Sequence, residues 1–397
     1  MRLSNDLLVY DNVDTNHYSV YNKFTHSLSV IHKAIYKYLE ESQKRSDFAN
    51  IHDDLSKDQV RTLLDFSVLI DDEKSYLAKK AFSSRDTSFK ELHEAYLHLT
   101  MDCNLACDYC YHRDNINQKK STLPVEKWFE VLRTLHHAGM KKITITGGEP
   151  FLYSGLLDVI TFAKKMGFHV TLLTNGMLMS GNAARDVLQQ VNKVIISLDS
   201  LTDSKRIGID GQEVFTNILN ASSVFPEKII VRSVTSRGSE NEVAQLGEVL
   251  HDHGIEHTQT ICLPCNLDEI NSIPDYDTYD LLSESSFDAC GAACGIIALD
   301  PEGNVYPCQT LMKSELIITN IFDKDWIDKF HDSNICDDIN QFNPYAETEC
   351  QACDALHFCS GGCRSIAYDV YKDFNKRNDF LCDYYRKSVF RKIKEEH

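Results

Sequence analysis

Between about Glu94 and Pro264, apolar β-rich runs alternate with helix-like stretches, and this alternation limits the fold more than any other feature of the chain. The strand-like runs are Ala95–Thr100, Lys142–Thr146, His169–Thr174, Lys193–Leu198, Lys228–Val234 and His257–Cys262. The helix-like stretches between them include Pro124–Ala138, Ser154–Met166, Asn182–Val191, Gly211–Ala221 and Glu240–His253. Strands separated by helices favour a parallel sheet with right-handed crossovers, which makes the chain an α/β protein. In such sheets the residues that act on a ligand gather where strands hand over to loops, at the C-terminal face.

The sequence motifs fall at those handovers. The loop after the first strand, from His98 to Tyr111, carries Cys103, Cys107 and Cys110 at the spacing C-x3-C-x2-C. A four-iron cubane normally takes four cysteines, so three thiolates at this spacing leave one iron open to an external ligand. Zinc ribbons and fingers usually pair C-x2-C with a second Cys or His pair. Buried free cysteines do act as small hydrophobes, but three so close together in a polar loop are not core filler. The second strand runs into Gly147-Gly-Glu-Pro150. Glycines there let backbone approach a ligand closely, and a carboxylate can meet an ammonium. The third strand ends in Thr174-Asn-Gly176 and the fourth in Ser197-Leu-Asp-Ser200.

The triad followed by Gly147-Gly-Glu-Pro150 resembles the radical S-adenosylmethionine (SAM) superfamily. That resemblance implies a partial (β/α)6 TIM-like barrel over residues 91–265, with SAM's amino and carboxylate groups on the open iron. Electron transfer from a [4Fe–4S] cluster held by Cys103, Cys107 and Cys110 then cleaves SAM to a 5′-deoxyadenosyl radical. By the same resemblance Gly147, Gly148 and Glu149 contact SAM's amino group. Asn175 and Ser197, with Asp199 behind them, reach its ribose or carboxylate. Each of these last three also has an ordinary reading, since Asn-Gly forms turns and Ser or Asp after a strand caps the next helix. Arg206 or Arg232 is a further candidate for SAM's carboxylate, because Arg binds carboxylates bidentately.

The C-terminal third is a second cysteine-rich unit. Cys290 is followed by twelve residues, Gly303, four residues and Cys308, with a Pro-then-Gly turn at Asp300–Gly303 that reads as a β-hairpin. Then come Cys350-x2-Cys353-x5-Cys359-x3-Cys363 and Cys382. This arrangement resembles the SPASM domain, which implies two auxiliary [4Fe–4S] clusters in residues 266–397, three clusters in all. By resemblance Cys350, Cys353, Cys359 and Cys382 bind the outer one. Cys290, Cys308 and Cys363 bind the inner one, with Cys294 as its fourth ligand. Some relatives leave an inner iron open for a substrate thiolate. Structural zinc is the competing reading of the C-x2-C pair. Cys262, Cys265 and Cys336 remain; the first two end the sixth strand and suit either a thiol hydrogen donor, a cluster ligand or plain structure. No general base stands out.

Residues 1–90 differ in pattern. Leu7–Asn12 and His17–Asn22 look like a hairpin, and Ser27–Glu41 carries a helical apolar stripe at Leu28, Ile31, Ile35 and Leu39. Ser56–Phe66 repeats a helix after a Ser cap, and Leu69–Leu77 looks like a wing of short strands. The order is similar to the winged-helix-like peptide-recognition elements of peptide-modifying radical SAM enzymes, which add a leader peptide as a strand to a sheet edge. A packing extension of the barrel fits the same pattern.

Composition narrows the class. A net charge of −18 argues against nucleic acid, whose binding depends on neutralising phosphates. No apolar run reaches the length of a membrane span, and the start Met-Arg-Leu-Ser-Asn-Asp lacks a signal-peptide core. Fourteen cysteines without an export signal point to metal ligation in a reducing cytoplasm. Together these features lead us to expect a peptide maturase. Its radical would take hydrogen from a ribosomal precursor peptide bound through its leader, and it would be reduced by a flavodoxin or ferredoxin. A crosslink, either a cyclophane carbon–carbon bond or a thioether, is the expected product. Formylglycine formation on a sulfatase is the runner-up, weakened by Gln309 where those enzymes typically carry Asp after the hairpin cysteine. Peptide epimerisation and a non-catalytic multi-cluster electron carrier complete the alternatives.

Overall fold

A computed structural model describes residues 1–11, 16–22, 27–48, 51–73, 92–118, 121–202, 206–274, 290–344, 346–353 and 355–395. Near the N-terminus lie β1 (Arg2–Leu3), β2 (Leu7–Tyr10), β3 (His17–Asn22), β4 (Leu28–His32) and β5 (Leu69–Ile70). The expected hairpin forms, with Val9 opposite Val20 in an antiparallel β2–β3 pair. The stretch expected as one helix from Ser27 divides instead. Leu28–His32 pairs with β3, Ile31 opposite Tyr18, and the helix begins at Lys33. The stripe Leu28, Ile31 satisfies a helical period, but pairing with β3 satisfies these backbone groups instead. His32 then caps the helix, its Nδ1 accepting from Ala34 N at 3.2 Å. The Ser56 cap occurs as expected, completed by Gln59 as a capping box on helix Lys57–Asp65. Of the wing, β5 pairs antiparallel with β1, and residues 74–77 lie outside the described residues.

The barrel strands are β6 (Glu94–His98), β8 (Lys142–Thr146), β9 (His169–Thr174), β10 (Lys193–Ser197), β12 (Ile229–Thr235) and β13 (Glu256–Ile261). Two short strands, β7 (Ala106–Cys107) and β11 (Arg206–Ile207), pair with each other outside the main sheet. All six expected barrel strands occur, each within two residues of its expected limits, and they are mutually parallel. Alternate residues turn outward to the helices. Ile143 and Ile145 of β8 and Val170 and Leu172 of β9 join Trp128, Val131, Leu132 and Leu135 of helix Val125–His137 in one core. Burying each of these larger side chains stabilises by about 1.5–3 kcal/mol.

The sheet does not end at β6. The C-terminal hairpin, β14 (Ile296–Leu299) and β15 (Asn304–Tyr306), continues it, with β14 parallel to β6 and Leu299 opposite Leu97. A further strand, β16 (Thr319–Asn320), completes a nine-stranded order β13-β12-β10-β9-β8-β6-β14-β15-β16. The turn forms as its sequence requires: Gly303 N donates to Asp300 O at 3.0 Å, and Asp300 Oδ1 accepts from Asn304 N at 3.0 Å. The cysteine-rich third therefore shares a sheet with the barrel. Leu8, Tyr10 and Tyr21 of the N-terminal sheet pack against Cys353, Ala355 and Tyr385. Among the described residues no helix is long and apolar enough to cross a membrane.

Candidate active site

The C-x3-C-x2-C loop leaves β6 at the C-terminal edge of the sheet, and three devices fix its course. First, β7 within the loop pairs antiparallel with β11, placing Arg206 opposite Cys107. Second, Asn117 Oδ1 accepts from Cys103 N at 2.8 Å, and Cys110 N donates to Cys107 O at 3.2 Å. Third, the backbone of Gly147 and Gly148 lies directly on the loop's entry. Gly148 N donates to Thr100 O and Glu149 N to Asp102 O, both at 2.8 Å. A Cβ on Gly147 would stand 2.1 Å from Thr100 O, and one on Gly148 2.1 Å from Asp102 O. Gly147 also has φ +145°, open to glycine and rarely to other residues. The two glycines are thus required by strand-to-loop packing, whatever ligand they also meet.

Glu149 is fully buried, and its carboxylate is turned inward. Oε1 accepts from Phe151 N at 3.1 Å and Thr174 Oγ1 at 2.9 Å, and Oε2 accepts from Asn175 N at 2.8 Å. Burial pushes its pKa up, and these three donors hold it down. Asn175 passes the network on, its Nδ2 donating to Asn104 Oδ1 at 2.8 Å inside the cysteine loop. The ends of β8 and β9 and the loop after β6 are therefore one hydrogen-bonded unit. Glu149 is its hub, a role that the sequence, which offered it as an ammonium contact, did not disclose.

Asp199 is likewise spent within the protein. It receives a bidentate pair from Arg206, Nε at 2.9 Å and Nη2 at 3.1 Å, a bond from Val234 N at 2.8 Å, and the Tyr109 hydroxyl. Arg206 is buried and lies 5.3 Å from the centre of the Tyr109 ring. Of the two arginines considered for a carboxylate, Arg206 is thus committed to Asp199. Arg232 stays half-buried on β12, opposite Ser197 in the register, and donates to Thr258 Oγ1 at 3.3 Å. Ser197 ends β10, half-buried.

Burial dominates the thiols of the triad and raises the pKa of all three, that of Cys107 to about 11, with Arg206 drawing it back. Cys103 and Cys110 also raise Cys107, a mutual repulsion of like thiolates that a cationic iron core removes. Beyond the triad, Arg113 donates Nε to Cys110 O at 3.2 Å, Nη1 to Glu269 Oε1 at 2.9 Å, and approaches Cys265 Sγ at 3.6 Å. Cys265 thus abuts the loop, whereas Cys262 is buried with Ser272 Oγ at 3.8 Å.

The C-terminal cysteines form two sets. Cys350, Cys353, Cys359 and Cys382 line one pocket together with Arg377, Leu381 and Tyr385. Burial first, then the charges of Cys382, Cys350 and Cys353, push Cys359 up to about 12. In the second set, burial and then Cys290 and Cys363 push Cys308 up to about 12. Cys294 adjoins this set at Cys290. It lines a separate cavity with His331, Cys336 and Asp337, and its thiol donates to Cys290 O at 3.4 Å. Arg364, fully buried and stacked 3.9 Å from the Phe342 ring centre, ties the Cys359–Cys363 turn to the stretch leading to Cys382. Its guanidinium donates to the carbonyls of Gly361, Phe374 and Lys376. Among the described residues, no three His, Cys, Asp or Glu side chains converge as ligands of a single metal ion. The four-cysteine pocket has the donor set of a [4Fe–4S] cluster.

Residues 97–273 match the radical SAM superfamily. The chain carries a radical SAM domain. That family implies S-adenosylmethionine and a [4Fe–4S] cluster. A probable GTP 3′,8-cyclase from Methanopyrus kandleri is 36% identical over 118 residues, 30% of this chain and 38% of that protein. The PqqA peptide cyclase of Streptomyces rochei is 25% identical over 167 residues, 41% of this chain and 46% of that one. The chain therefore spans less than half the length of either curated relative. Streptococcus suis SuiB, solved with S-adenosylmethionine and with its precursor peptide SuiA, matches at TM-score 0.60 and 16% identity. Each match covers 96% of this chain and 99% of SuiB. At that identity the likeness concerns the fold, and it extends well beyond the radical SAM domain.

Proposed function

We infer that the chain is a radical SAM maturase that installs a crosslink, a cyclophane carbon–carbon bond or a thioether, in a ribosomal precursor peptide. The observation that carries this reading is a single sheet bearing two cysteine assemblies. The triad leaves the end of β6, and the hairpin whose ends hold Cys290 and Cys308 pairs with that same strand. The two assemblies are thus built on neighbouring strands of one sheet. When bound, SAM and the reduced triad cluster supply a 5′-deoxyadenosyl radical able to take hydrogen from an unactivated carbon.

The chain's own residues prepare the face. Gly147 and Gly148 bring backbone against the loop, and Glu149 locks the ends of β8 and β9 to it. Ser197 and Arg232 offer polar groups for SAM's ribose or carboxylate. The two auxiliary cysteine sets would hold two further [4Fe–4S] clusters, the inner one through Cys290, Cys308 and Cys363 with Cys294 as the fourth ligand, which would supply an electron acceptor or a hold on substrate. The N-terminal sheet, with β2 at its edge, takes the leader as an added strand. A flavodoxin or ferredoxin supplies electrons. The names of SuiB's precursor peptide and of the PqqA cyclase support a peptide substrate, whereas the GTP cyclase relative points to a nucleotide.

The test is anaerobic reconstitution with iron and sulfide, then dithionite and SAM, with candidate precursor peptides and GTP in parallel. About twelve irons per chain, 5′-deoxyadenosine, and a peptide that loses two hydrogens are expected. Consumption of GTP, or a reduced cluster inert towards SAM, would refute the peptide reading.

A further inference from the structure

Asp199 and Arg206 are polar, buried and aimed at the cysteine loop, yet their side chains are occupied by each other and by Tyr109. Tyr109 lies inside the motif, between Cys107 and Cys110, and its hydroxyl donates to Asp199. Arg206 stands directly across an antiparallel pair from Cys107. Side chains of such opposed residues leave the same face with their Cβ atoms about 5 Å apart. The guanidinium therefore sits beside the Cys107 thiolate and over the Tyr109 ring, with the Asp199 carboxylate behind it, held by two bonds at 2.9 and 3.1 Å. Val234 N, at 2.8 Å, anchors the carboxylate to β12.

We propose that Tyr109, Asp199 and Arg206 are positioning residues that latch the Cys107–Cys110 segment to the barrel, and that this ion pair sets the reduction potential of the cluster the segment holds. The proposal rests on the triad being a cluster site. Reduction adds an electron to a group already ringed by thiolates. A buried cation nearby stabilises that added charge and raises the potential, and a buried anion does the opposite, because little water intervenes to screen either. The pair balances the two. Removing each partner should then move the potential in opposite directions, which a latch acting by rigidity alone would not do.

The experiment uses the full chain, reconstituted anaerobically, with iron counted and the cluster followed by potentiometric EPR. The triad cluster is identified as the one whose spectrum changes when SAM is added. Arg206→Met should lower its potential, since the Asp199 carboxylate is left facing it. Asp199→Asn should raise it, since the guanidinium is left uncompensated, and Arg206→Lys should return it towards the parent value. Tyr109→Phe removes one bond and no charge, and should leave the potential unmoved. Shifts in one common direction, no shift in variants that keep their iron, or loss of the SAM-sensitive signal from every variant including Arg206→Lys would overturn the proposal. A parent protein without any SAM-sensitive cluster would instead overturn the reading of the triad itself.

Discussion

His98 ends β6, five residues before Cys103, with its ring fully buried and neither nitrogen hydrogen-bonded. It meets His112 edge-on at 4.8 Å between ring centres. Burial lowers its pKa from 6.5 to about 3. The consequence for stability has a definite sign. Between those values the unfolded chain binds a proton that the native chain does not, so stability falls as pH drops from about 6.5 towards 3. His98→Phe keeps an aromatic ring against His112 and removes the titration. Its acid limb should be flatter by about one proton, as measured by urea unfolding at pH 7 and pH 5. An unchanged slope would mean that His98 is protonated or solvated in the native state. The sequence, in which His98 reads as one polar residue closing a strand-like run, carries no sign of this. Nor did it reveal that Asp199 and Arg206 would find each other. A carboxylate and a guanidinium seven positions apart read equally well as ligand contacts, and only the β7–β11 pairing, which aligns Arg206 with Cys107, decides the matter.

At the scale of elements, the hairpin β14–β15 is the neighbour that β6 would otherwise lack. A chain ending after Pro274 keeps every strand of the barrel but leaves β6 as an open edge with unpaired backbone groups, a template for association. Such a truncation should be insoluble or aggregated on size exclusion; a monomeric, cooperatively folding product would refute the dependence. The six barrel strands were legible in the sequence because each helix between them forces a parallel partner and each strand reads as an apolar run. The pairing of β14 with β6 was not, because Glu94 and Ile296 lie far apart in sequence and no local pattern records such a contact. The stretch Leu28–His32 misled for the converse reason: its spacing suits a helix, and its pairing with β3 is decided by residues outside it. Cys294, assigned to the inner set by resemblance, keeps its thiol on Cys290 O at 3.4 Å and also borders the cavity of His331 and Cys336.

Across the whole molecule, the N-terminal sheet meets the cysteine-rich third through Tyr21, Leu8 and Tyr10 against Cys353, Ala355 and Tyr385. Tyr21 is 1% exposed and supplies the largest fully buried side chain of that junction. Tyr21→Ala should cost on the order of 3–5 kcal/mol, as for other large aromatic truncations. Limited proteolysis should then cut within the first ninety residues earlier than in the parent, and the outer four-cysteine pocket should lose iron faster to a chelator. Equal chelation rates in variant and parent would show the two regions to be independent. The junction joins the part that would hold a leader to the part that would hold the outer cluster, and the chelation rates read whether packing alone couples them.

The union of β6 with β14 also bears on how the protein is made. The first barrel strand leaves the ribosome with Glu94, and its partner Ile296 is added 202 residues later. At typical rates of synthesis the nascent barrel waits on the order of ten to forty seconds with that edge exposed. During this interval the triad, Cys103 to Cys110, is already outside the ribosome, while Cys350 to Cys382 have yet to be translated. A cluster assembled at the triad during synthesis would therefore form on an unfinished sheet, and one assembled afterwards on a closed one.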